Sequence, residues 1–72
     1  MVAQFVLSED QTVTATIVDE AGRVMYVLLD QPAKRGHNEI IFNTYPLANG
    51  NYFLRIEGSA GFEMKEKILK IK

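Results

Sequence analysis

The chain of 72 residues has no cysteine, no tryptophan and only 2 prolines. Without cysteine there is neither a disulfide framework nor a thiolate metal site, so packing and sheet hydrogen bonds must hold the fold. Exported modules also manage without disulfides, so this absence does not assign a compartment. No apolar run approaches the roughly 20 residues of a membrane-spanning helix, and direct membrane insertion is not expected. Met1-Val2-Ala3-Gln4-Phe5 lacks the basic region and long apolar block of a signal peptide. Any export leader is therefore expected elsewhere, with Met1 opening an excised segment or a fragment of a longer protein. A net charge of −1 gives no general attraction to nucleic acid or anionic membranes.

Catalytic chemistry is equally sparse. The one histidine, His37, follows Gly36 in an expected turn, and the only serines, Ser8 and Ser59, also fall in turns without a nucleophile-elbow motif. A hydrolytic triad needs a nucleophile, a base and an orienting carboxylate together, and nothing here assembles one. Glu9-Asp10 and Asp19-Glu20 are paired acids in loops, but the oxygen-ligand spacing of a calcium loop is absent. No glycine-rich phosphate loop follows a strand. The expectation is a non-enzyme without a metal or cofactor.

What is present is enough apolar material for a core. Hydrophobic residues make up 47% and charged residues 24%, the balance of a folded chain and not of a disordered one. At this length one domain spans residues 1–72. Its apolar residues recur with period two and are rich in β-branched and aromatic types, the pattern of strands. Ala3, Phe5 and Leu7 share one face of a first strand. Val13, Ala15 and Ile17 share one face of a second, with Thr12, Thr14 and Thr16 opposite.

Asp19 to Arg23 reads as a tight hairpin with Gly22 at a φ > 0 position. Val24 to about Leu29 is apolar on both parities, which predicts a central or doubly covered third strand. Pro32 to Gly36 reads as a turn, Glu39 to Phe42 as a fourth strand, and Pro46 to Gly50 as a loop. Tyr52, Leu54 and Ile56 face inward on a fifth strand. Gly58 to Gly61 makes a second hairpin, and Phe62 to Lys72 a sixth strand. In that last strand Phe62 and Met64 share one parity while Leu69 and Ile71 take the other, which predicts a bulge near Glu66-Lys67.

These elements predict an all-β, immunoglobulin-like antiparallel sandwich of six to seven strands. The loop closing on Gly50 and the strand opening at Tyr52 look like an immunoglobulin corner, where a tyrosine hydroxyl bonds back to upstream backbone. Phe5, Phe42, Tyr52 and Phe62 fall in core phase. Tyr26, Tyr45 and Phe53 are candidates for the surface, with core or edge packing the favoured role. Lys65, Lys67, Lys70 and Lys72 form the one charge cluster. Lysines on a terminal strand can simply protect a sheet edge.

Three signatures together resemble one family. They are Asp19, Gly22, Arg23 and Val24 in the first hairpin, then Leu47, Gly50 and Tyr52 at the corner, then Lys67, Ile68, Leu69, Ile71 and Lys72 at the end. Their order and spacing resemble the type A C-terminal sorting domain of the type IX secretion system of Bacteroidetes. Two features depart from that pattern. The usual Pro-Asn-Pro-like stretch before the first strand is missing, and Arg35-Gly36-His37 replaces the more usual Ala-Gly turn.

The resemblance implies a transport signal that carries an upstream fused cargo protein through the periplasm and across the outer membrane. The partners implied are type IX translocon components and a sortase-like cell-surface protease that removes the domain, leaving cargo secreted or at the cell surface. Lys65, Lys67, Ile68, Leu69, Lys70, Ile71 and Lys72 are the recognition candidates that follow from it. The rival is a structural immunoglobulin- or fibronectin-like spacer, or a binding module, within a larger extracellular protein. A spacer would be followed by more chain, whereas a sorting domain would end with the protein.

Overall fold

The period-two segments become six strands in a computed structural model that describes residues 1–71: β1 (Val2–Leu7), β2 (Gln11–Asp19), β3 (Val24–Ala33), β4 (Gly36–Ile41), β5 (Gly50–Gly58) and β6 (Glu63–Lys70). They form two antiparallel sheets, one of four strands in the order β3-β2-β5-β6 and one of two strands, β1-β4. In immunoglobulin terms this is a C′-C-F-G sheet facing strands B and E, with β5 in the place of strand F. No helix occurs among the described residues.

The core lies between the sheets. Ala3, Phe5, Leu7, Ile40 and Phe42 come from the smaller sheet, and Val13, Ala15, Ile17, Tyr52, Leu54, Ile56 and Ile68 from the larger. Leu7, Val13, Ile17, Leu54 and Ile56 are the large side chains most completely removed from solvent. At about 1.5–3 kcal/mol for each such burial, the centre of stability is β2 and β5, the inner strands of the larger sheet. Phe5, Val13, Ile17, Phe42, Leu47, Tyr52, Leu54 and Ile56 are all buried, as the alternation predicts. Phe62 is half-buried and packs its ring 5.4 Å from that of Phe5.

Expectations are corrected at three places in the fold. β3 is an edge strand, not a central one, and Val24, Met25, Tyr26 and Val27 are exposed. Its register against β2 shifts twice, between Ala15 and Thr16 and between Ile17 and Val18. Each shift inserts one residue and exchanges the two faces, so apolar residues occupy both parities without being covered on both sides. β3 also runs on to Ala33 and β4 starts at Gly36, so Pro32 and His37 lie in strands where a turn was expected. Proline is tolerated there because β3 is an edge.

The second correction concerns β6. It pairs with β5 without interruption from Gly50↔Lys70 to Glu57↔Glu63, so there is no bulge near Glu66-Lys67. The unbroken alternation puts Met64 and Ile68 on the inner face and leaves Leu69 and Ile71 exposed. Third, Tyr45 packs in neither core nor edge: it is 85% exposed in the loop before β5. Tyr26 lies on the β3 edge, and Phe53 is half-buried on the outer face.

Candidate functional site

The described residues of the three sequence signatures, separated along the chain, converge on one end of the sandwich. Asp19 is the register partner of Tyr52, Tyr52 of Ile68, and Gly50 of Lys70. Turn, corner and terminal strand therefore lie side by side. A shallow depression between the first two is lined by Asp19, Glu20, Ala21, Arg23 and Asn49 to Tyr52.

Each signature has a physical reason. Asp19 organises the β2–β3 hairpin through one carboxylate: Oδ1 accepts the backbone N–H groups of Ala21 and Arg23, each at 2.9 Å, and Oδ2 accepts Arg23 Nε at 3.0 Å. Gly22, at φ +84°, closes the loop by donating its N–H to the Asp19 carbonyl at 3.0 Å. The backbone N–H of Arg23, then burial acting in the opposite sense, then the Arg23 side chain set the Asp19 acidity. The net effect holds its carboxyl below the usual 3.8. The Asp19–Arg23 ion pair is mostly in solvent on the arginine side and adds little of its own. Val24, the last residue of this signature, is exposed.

At the corner, Tyr52 buries its ring and donates its hydroxyl to the Ala48 carbonyl at 2.7 Å. That bond back across four residues is the immunoglobulin tyrosine corner expected from the sequence. Leu47 is buried beneath the loop. Gly50 sits at φ +155° with its Cα facing the Tyr52 ring, where an added Cβ would meet Cε2 at 3.8 Å.

The terminal strand divides its candidates between faces. Ile68 is in the core. Lys65 and Lys67 oppose Arg55 and Phe53 on the outer face of the larger sheet and are exposed. Lys65 holds its ammonium 4.5 Å from the Phe53 ring centroid, and the half-buried Lys70, on the other face, lies 5.8 Å from that of Tyr45. Leu69 and Ile71 are exposed, and Lys72 lies outside the described residues. The lysines are thus not one patch but two, on opposite sides of an edge strand.

A second polar feature, at the other end of the sandwich, went unread in the sequence. Gln11 is the one buried polar residue among those described; its Oε1 accepts the Ala60 N–H at 3.1 Å. Ser59 pairs with Thr12 through backbone and hydroxyl, so the β5–β6 hairpin is tied to the start of β2. The signal was available, since Gln11 lies in phase with Val13, Ala15 and Ile17. Among the described residues no three carboxylates or histidines gather as a metal site would require.

The fold is an immunoglobulin-like sandwich with a tyrosine corner and an exposed, lysine-bearing edge strand. Over residues 2–72 the chain matches the family model described as the secretion system C-terminal sorting domain. The chain belongs to that family, the sorting domains of type IX secretion. Neither a curated protein nor a solved structure matches it. Membership makes it a C-terminal secretion signal that works with the type IX machinery on a cargo fused upstream, and it implies export toward the cell surface or medium. The family is not known for catalysis.

Proposed function

We propose that this domain is a non-catalytic signal carried by its cargo from the periplasm through the type IX translocon, recognised through β6 and removed at the surface by a sortase-like protease. The family match over residues 2–72 carries the reading. The placement of Lys65, Lys67 and Leu69 on the outer face of an edge strand supports β6 as the recognised element, because those side chains are exposed while Ile68 anchors the strand. Ile71 and the adjoining corner end complete the candidate surface. The domain as a whole, residues 1–72, is the unit that would be attached to cargo.

The test is a reporter fused behind a signal peptide and ahead of this domain in a type IX-competent host. Lys65→Gln, Lys67→Gln and Lys70→Gln together remove charge while leaving Ile68 in the core. Export of the unaltered fusion, with the triple variant held in the periplasm at unchanged thermal stability, is the expected result. Removal of the domain is read from the size of the surface reporter. A spacer would leave the reporter in the periplasm with or without the lysines.

A further inference from the structure

The two edges of the larger sheet are built differently. β3 is interrupted by two register shifts and carries Pro32, which has no N–H to offer. Bulges and proline are devices that prevent a further strand from adding. β6 has neither: its eight residues, Glu63–Lys70, hold one register against β5, contain no glycine or proline, and leave the outer edge unpaired. Of the two edges, β6 alone can continue the ladder regularly.

Its side chains say what such a strand must carry. On the outer face the order along β6 is Glu63, Lys65, Lys67, Leu69, while Glu66 alternates onto the other face. Opposite charges directly across two strands stabilise the pair and like charges destabilise it. In an antiparallel pairing of two copies centred on Glu66, Lys65 of one would meet Lys67 of the other. That register of self-pairing is disfavoured, and the same lysines would favour an acidic visitor.

We propose that β6 accepts an added strand from a partner protein, an extended segment with acidic side chains at the two alternate positions opposite Lys65 and Lys67 and an apolar one opposite Leu69. Glu63, on the same face, rejects a further acid at the position opposite it. The proposal rests on the sorting reading and names the chemistry of the partner for that same strand.

The test uses the isotope-labelled 72-residue domain. The probes are a valine-rich peptide with glutamate at two successive positions of one face and valine at the other positions of that face, its counterpart with lysine in place of glutamate, and the glutamate peptide N-methylated at alternate amides. The glutamate peptide should slow hydrogen exchange at β6 amides not bonded to β5, and the other two should not. Lys65→Gln with Lys67→Gln should weaken it about 2- to 30-fold, the span of two cross-strand ion pairs. Protection at β3 instead, or no protection anywhere, overturns the proposal. So does lysine-dependent binding to phosphatidylglycerol vesicles without any effect of the glutamate peptide on β6, which would make the strand a membrane-surface element. If the reporter is exported while the glutamate peptide fails, strand addition alone falls. If the peptide binds but export ignores the domain, the sorting reading falls.

Discussion

Removing one oxygen from Tyr52 separates the two ways in which this residue can hold the corner. Tyr52→Phe deletes the hydroxyl that donates to the Ala48 carbonyl at 2.7 Å and keeps the buried ring. Ala48 is exposed, so its carbonyl can turn to water, and the loss should be that of an ordinary hydrogen bond, about 0.5–1.5 kcal/mol. In a domain of this size 1 kcal/mol moves the melting midpoint by about 4–8 °C, so a fall of about 2–12 °C is expected. Tyr52→Ala removes the ring as well and should cost about 3–5 kcal/mol. At 72 residues the whole stability expected is only about 4–11 kcal/mol, so the alanine variant should be close to unfolding at ambient temperature. Thermal melts followed by far-UV circular dichroism, with urea midpoints beside them, measure both. A phenylalanine variant that melts with the parent protein would show that the hydroxyl does not hold the corner. One as damaged as the alanine variant would show that ring burial is not the larger part.

Two further outcomes follow from the ends of the sandwich. At Gly58 an added Cβ would overlap Gln11 Oε1 and lie 2.9 Å from Phe62 Cβ. Gly58→Ala should therefore cost about 1–3 kcal/mol of overpacking. Urea midpoints should show that cost shrinking by at least about 0.5 kcal/mol when Gln11→Ala is made first, as expected for groups in contact, and additive losses would refute the clash. At Asp19 the folded carboxyl is more acidic than the ordinary 3.8, so its contribution to stability is complete above that value and is lost as pH falls through the lower folded one. Asp19→Asn should flatten that acid limb in a pH series of melting midpoints; an unchanged limb would put the acid sensitivity elsewhere.

Much of this was legible because β-structure has a period of two and corners have side-chain chemistry. The inward set on β1, β2 and β5 follows directly from alternation, and Tyr52 could be assigned its hydrogen bond from its place after Gly50. Alternation also misled. A strand apolar on both parities can be covered on both faces or bulged at an edge, and β3 is the second. A terminal strand with a change of parity can be bulged or can simply expose its last apolar residues, and β6 does the latter. Both choices depend on what lies across the sheet, which a local pattern does not contain. Gln11 was missed for the opposite reason, since its phase was plain but a polar residue in that phase needs a partner, and the Ala60 N–H lies 49 residues away.

For the candidate site the division is sharper. The residues at 19–24, 47–52 and 67–72 and their order sufficed to identify the family, because a motif is carried by residue types and spacing. Strand order put 19–24, 47–52 and the described part of the last segment on one end of the sandwich. It also split the lysines, with Lys65 and Lys67 on one face and Lys70 on the other, and made β6 the regular edge and β3 the blunted one. Alternation assigns a side chain to one of two faces, but which face is covered, and which backbone edge is left without a neighbour, exists only once the strands have paired.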